Sequence, residues 1–257
     1  MSVEVLGQCA TAPTMHGAAS GYVLHTSEGL IVVDAGPGSM AAFTARHHID
    51  DVRALVITHM HADHSLDLMA WANRWTYPIR RDPIALFVPA GAEPALDAFD
   101  SLFGIPTLPT MHAPVAQSFE RRVLPLDGSE RFVVGGAELV SFAARHAVPS
   151  AALRFELGGR AIAFSSDTGD CDGVRAAAAG ADVFVCEATW LDAPDDGSND
   201  HGHLTADEAG RIASEAGVDT LVLTHFEDPG RGAEAKTRAQ RWFFEGRIEV
   251  AEPGLRL

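Results

Sequence analysis

The chain has 257 residues, enough for one large domain or two small ones, and 47% of them are hydrophobic, which supplies a sizeable core. A formal charge of −16 argues against the broad basic face on which affinity for large structured nucleic acid rests. It leaves room for an anionic substrate, because bound cations reverse the field inside a cleft.

No apolar stretch approaches the ~18 residues of a membrane span. The opening "MSVEVLGQCA" has neither the basic region nor the long apolar core of a secretion signal. Cys9, Cys171 and Cys186 are too few and too scattered for a disulfide framework or a cysteine zinc site, so a reducing cytoplasm is the expected setting.

In chain order, "VEVLG", "GYVLHT" and "LIVVDAG" read as strands that meander with hairpin-length gaps. A helical pattern at 38–48 leads to the strand "ALVIT", a helix at 64–77, the strand "ALFVP" and a helix at 93–103. Then come the strands "FVVGGAELVSFAA", "ALRFELG" and "AIAFSSD", a helix at 172–180, and "DVFVCEA". A helix at 205–217 opens on Thr205 and Glu208, spaced as a capping box. "TLVLTH", a helix at 231–244 and "RIEVAEP" close the chain. Early strands meander and later ones alternate with helices, which predicts two sheets with helices outside them, an α/β or α+β sandwich. The long irregular stretches, 104–118 and 191–204, are candidate loops over a cleft.

"THMHADH" at 58–64 places three histidines and an aspartate within six residues, directly after an apolar strand. An extended loop there aims His59 and His61 at one ion, while Asp63 and His64 at a helix start reach a second. Imidazole nitrogen and carboxylate oxygen suit zinc, and also manganese or iron. Further ligand types close other strands: His146 after "LVSFAARH", Asp167 after "AIAFSSD" and His225 after "TLVLTH". Strand ends are where a rigid scaffold presents functional groups.

With "LGQCATAPTMHGAASGYVLHTSEGLIVVDAGPG", "THMHADH", "SSDTG", "CEATW", "HLTADEAG" and "LVLTH" in sequence, the chain resembles the metallo-β-lactamase-fold hydrolases, and within them the ribonuclease Z and phosphodiesterase branch. The resemblance runs nearly end to end and implies one αββα domain over 1–257, two mixed sheets face to face with helices on the outer faces. It implies two divalent metal ions, zinc by expectation, with His59, His61 and His146 on the first. Asp63, His64 and His225 would hold the second, and Asp167 would bridge both. Asp34 would orient the cluster loop; read alone it serves equally as a turn former before Gly36. Glu187 and His203 match that branch's glutamate–histidine pair beside the scissile group, and His201 is a nearby rival for the histidine. The implied chemistry is attack by a hydroxide bridging the metals, with Asp63 accepting its proton and His203, held by Glu187, serving the leaving oxygen.

Several features depart from or fall outside that pattern. Asp67 stands where the superfamily often has glycine; it either favours the helix start or accepts a bond from a metal-bound histidine. Trp71 and Trp75 are spaced for packing or for base stacking, and Arg80 and Arg81 for solvent or for a substrate phosphate. No glycine- and proline-rich arm lies between Ser150 and Ala188, which with the acidic charge counts against transfer RNA as substrate. A small phosphodiester, a cyclic nucleotide or short oligonucleotide, is the leading expectation, and the 165–190 stretch with "HLTADEAG" resembles an actinobacterial group linked to cyclic-nucleotide hydrolysis. A lactone, thioester or β-lactam is the alternative bond, weighed down by the presence of Glu187 with His203. A full second ligand set, His64 included, argues against mononuclear iron oxygenases, and seven filled ligand positions argue against a binding protein with a dead site. A homodimer is suggested by family analogy.

Overall fold

The computed structural model describes residues 1–194 and 202–257. The first sheet comprises β1 (Ser2–Cys9), β2 (Ala18–Ala19), β3 (Gly21–His25), β4 (Leu30–Val33), β5 (Val52–Val56), β6 (Ile84–Pro89) and β7 (Phe119–Leu124). The second comprises β8 (Phe132–Val134), β9 (Ala137–Ala143), β10 (Ala151–Leu157), β11 (Arg160–Phe164), β12 (Val183–Glu187), β13 (Thr220–Thr224) and β14 (Arg247–Val250). Strand order is β2-β1-β3-β4-β5-β6-β7 in one and β14-β13-β12-β11-β10-β9-β8 in the other. Each sheet is antiparallel where hairpins connect it and parallel where helices cross over, as connection length dictates.

Alternate residues of each strand face different cores. Val5, Leu24, Ile31 and Val56 meet Leu153, Phe155, Ile162 and Val185 between the sheets. On the outside of the first sheet, Leu6, Val23 and Leu55 pack under α1 (Ser39–Thr44), α3 (Leu68–Thr76), α4 (Glu93–Phe103) and α5 (Pro114–Ser118), through Phe43, Trp71, Leu96 and Val115. The second sheet is covered by α6 (Asp172–Ala178), α7 (Ala206–Ala216) and α8 (Gly232–Ala239). This is the expected αββα sandwich. The capping box at Thr205 and Glu208 forms as read, opening α7.

Four expectations are refined. The helix read over 64–77 is two pieces, because α2 (Ala62–Ser65) stops before Asp67, whose amide donates to Ala35 O at 2.8 Å instead of up the helix. Trp71 and Trp75 are core residues: Trp71 meets Phe43 edge-on at 4.9 Å, and Trp75 Nε1 donates to Asp82 O. Arg81 pairs with Asp50 and lies over the Trp75 ring, while Arg80 is exposed. The second half of 104–118 is built into the helical layer, with Asp100 accepting from the amides of Val115 and Ala116 and Ser118 Oγ donating to Ala72 O.

The C-terminal ends of β4, β5, β9, β11, β12 and β13 open on one edge of the sandwich, so residues distant in sequence emerge side by side there. Trp71, packed against Phe43, is the largest fully buried side chain in the outer core of the first sheet. Trp71→Ala is expected to cost about 3–5 kcal/mol of folding stability, read as a lowered urea midpoint with an unchanged slope; a midpoint within error of the parent contradicts this packing.

Candidate metal centre

The cluster loop is set by a buried carboxylate. Asp34 directly follows β4 in the left-handed region, φ 61°, a conformation that costs a non-glycine residue about 1–3 kcal/mol. The bend turns its carboxylate onto the end of β5, where Oδ1 accepts from Thr58 N (2.8 Å) and Oδ2 from Thr58 Oγ1 (3.0 Å), Ser20 Oγ (3.2 Å) and His64 Nδ1 (2.6 Å). His64 is thereby fixed with Nε2 facing outward. Of the two readings of Asp34, the structure shows the orienting one. Gly36 is required beside it: a Cβ there would meet Asp63 O at 2.0 Å.

Two groups of donor atoms converge above this loop. One is His59, His61, His146 and Asp167; the other is Asp63, His64, Asp167 and His225; within each, the atoms lie within 4.8 Å of one another. Asp167 belongs to both, its Oδ2 at 3.6 Å from His59 Nε2 and its Oδ1 at 3.2 and 3.4 Å from Nε2 of His64 and His225. The structure therefore brings together all seven residues that the sequence suggested as ligands.

The donors fit a pair of divalent ions. His146 Nε2 faces His61 Nδ1 at 3.0 Å, and His64 Nε2 faces His225 Nε2 at 3.2 Å. Tetrahedral bonds of 2.0–2.1 Å put ligand atoms about 3.3 Å apart. His59 Nε2 is buried with no hydrogen-bond partner among the described residues, an orphan that a cation would satisfy. The far nitrogens are anchored as metal-binding imidazoles require: His146 Nδ1 donates to Gly202 O (2.9 Å) and His225 Nδ1 to Thr189 Oγ1 (2.9 Å). Burial works to raise the Asp167 carboxyl, but the surrounding imidazoles of His225, His64 and His59 outweigh it and hold it well below the usual range.

Beside the ligands, His203 stacks on His225 (5.7 Å, 17° between planes) and meets His146 edge-on at 5.0 Å. Its Nδ1 donates to Glu187 Oε1 at 3.1 Å. Buried Glu187 also accepts from Thr168 N, Leu204 N and the Thr189 hydroxyl. Burial disfavours the charged imidazole, yet the bond to Glu187 and its charge raise the His203 pKa above the ordinary histidine value. Glu187, His203 and His225 also cluster closely, but both Glu187 oxygens are already taken by the Thr168 and Leu204 amides and His225 belongs to the second donor group, so the three read as a positioning network.

Asp67 touches no ligand. Its carboxylate accepts from Met40 N at 2.9 Å, tying the start of α1 to the cluster loop, and burial raises its pKa. The alternative of a bond from a metal-binding histidine is thereby corrected. His201 lies outside the described residues. Sequence reasoning missed Thr58, Thr189 and Thr11, whose amide donates to Asp63 Oδ2 at 2.8 Å. Thr58 opens "THMHADH" and Thr189 lies inside "CEATW", motifs already singled out for their histidines and glutamate.

Residues 30–226 match the family described as the β-lactamase superfamily domain. The chain is 32% identical to a ribonuclease Z of Streptomyces avermitilis, over 98% of this chain and 96% of that one. In fold it is similar to the metallo-β-lactamase fold protein YhfI of Bacillus subtilis, with TM-score 0.83 and 22% identity over 100% and 98% of the two chains. It is also similar to the short form of human tRNase Z, with TM-score 0.74 and 22% identity over 100% and 98%. With two groups of metal-type donors at one edge of the sandwich, this chain belongs to the β-lactamase superfamily, in its ribonuclease Z-like branch, and is a metal-dependent hydrolase.

Proposed function

We propose that this chain is a dinuclear hydrolase of small phosphodiesters, a cyclic nucleotide or short oligonucleotide, with zinc as the resident metal. The observation that carries the reading is the Glu187–His203 pair set beside a carboxylate, Asp167, common to two ligand groups. His59, His61, His146 and Asp167 would hold one ion, and Asp63, His64, His225 and Asp167 the other. When bound, the two cations lower the pKa of water and offset the charge that builds on phosphoryl oxygens.

The chain's own residues supply the rest. Asp63, fixed by the Thr11 amide, accepts the nucleophile's proton. His203 spends Nδ1 on Glu187, which leaves Nε2 to protonate the departing oxygen. The bond to Glu187 and its charge, which raise the His203 pKa, favour that proton on the ring. The match of this pair to the glutamate–histidine pair of the phosphodiesterase branch is what favours a phosphodiester over a lactone, thioester or β-lactam.

The preference for a small substrate rests on two observations. β11 and β12 are joined through α6 alone, with no arm inserted. The net charge of −16 opposes a large polyanion. These also support a single domain over 1–257. The ribonuclease Z relative bears on the bond type, and this reading takes from it the phosphodiester without the transfer RNA.

The zinc-loaded protein is expected to cleave a bis-aryl phosphodiester and a cyclic nucleotide and to leave a chromogenic cephalosporin and a lactone intact. Rapid cephalosporin or lactone turnover without phosphodiester cleavage overturns the reading. His203→Ala should retain its metal while kcat falls by about 10²–10⁴; parental turnover removes His203 from the mechanism. Thr189→Val, which breaks the hydroxyl link between His225 and Glu187, should weaken metal affinity by about 10–100-fold, measured by chelator competition. Parental affinity would show that the link does not orient His225.

A further inference from the structure

A second set of metal-type donors lies on the opposite side of the first sheet from the space between the sheets. Glu4 on β1 faces outward beside Leu6, away from the core formed by Val3 and Val5. On β3, His25 is paired with Ser2, which puts it diagonal to Glu4 on the same face. The chain then leaves α1 and drops His47 onto that face. The His47 ring is held against Phe43 at 5.2 Å and meets His25 edge-on at 5.2 Å.

Both imidazoles aim Nε2 at one oxygen. Glu4 Oε2 lies 3.0 Å from His25 Nε2 and 3.1 Å from His47 Nε2. The three donor atoms all lie within 4.8 Å of one another. A divalent ion bound at about 2.0–2.2 Å holds its ligand atoms about 3.0–3.4 Å apart, so the nitrogen–oxygen separations already match. The carboxylate is 7% exposed, and a buried carboxylate is costly without a cation. Arg46 approaches only its other oxygen, at 3.9 Å, beyond hydrogen-bond distance, and is 39% exposed.

We propose that Glu4, His25 and His47 form a separate site for a transition-metal ion, best suited to zinc, outside the hydrolytic centre. Two imidazoles and one carboxylate are a ligand set that zinc and other borderline divalent ions accept. Three protein ligands leave an open coordination position, and the partly exposed histidines, 15% and 16%, give an entry path from solvent. An ion there clamps β1, β3 and the end of α1 together. None of the three residues belongs to the proposed catalytic set, so the inference stands or falls independently of the phosphodiesterase reading.

The test is zinc bound per chain at equilibrium with micromolar free Zn2+, measured by elemental analysis on the full chain. Wild type should carry one equivalent more than His47→Ala and one more than His25→Ala, with phosphodiesterase activity unchanged in both variants. In the wild type itself, addition of Zn2+ should shift the imidazole nitrogen resonances of His25 and His47 to metal-bound positions, a readout that needs no variant. Equal zinc content in all three proteins, or imidazole resonances unmoved by Zn2+, overturns the proposal and leaves the cluster a hydrogen-bonded triad.

Discussion

The centre depends first on the buried carboxylate of Asp34. It sits at the end of a parallel strand in a left-handed conformation, and four donors from three residues, Ser20, Thr58 and His64, converge on it. Those bonds place the cluster loop, and through His64 they fix one imidazole by its inner nitrogen. Ser166 and His225, at the ends of β11 and β13, are also left-handed and non-glycine, φ 58° and 56°. Backbone strain thus gathers at the strand ends that carry the donors, as it does where function overrides local preference.

A second constraint joins the donors to the proposed acid. His225 donates to the Thr189 hydroxyl, Thr189 donates to Glu187, and the other Glu187 oxygen accepts from His203. His146 is tied to the same segment through the Gly202 carbonyl. Occupancy of either ligand group therefore bears on where His203 sits. Asp67 acts at one remove, by pinning the start of α1 to the loop.

Much of this was legible in the sequence because apolar runs end at the proposed ligands: "ALVI" before "THMHADH", "AIAF" before Asp167 and "TLVL" before His225. Parallel strands place such ends side by side. The partners of those residues were less legible. Asp67 could not be assigned from spacing, since its acceptor role is toward an amide 27 residues away, at Met40. Thr11 contributes a backbone N–H, which carries no side-chain signal, and Thr189 acts through a hydroxyl that is common on any surface. The break between α2 and α3 was hidden because the diverted amide of Asp67 bonds outside the helix. The triad of Glu4, His25 and His47 was invisible for a similar reason: it exists only once β1, β3 and the end of α1 are packed.

The central claim is that two metal ions share Asp167. Anomalous scattering at the zinc edge, from crystals of the zinc-loaded protein, tests it most directly. The account predicts two peaks flanking the Asp167 carboxylate, one among His59, His61 and His146 and one among Asp63, His64 and His225. A single peak there, or two that do not share Asp167, would contradict it.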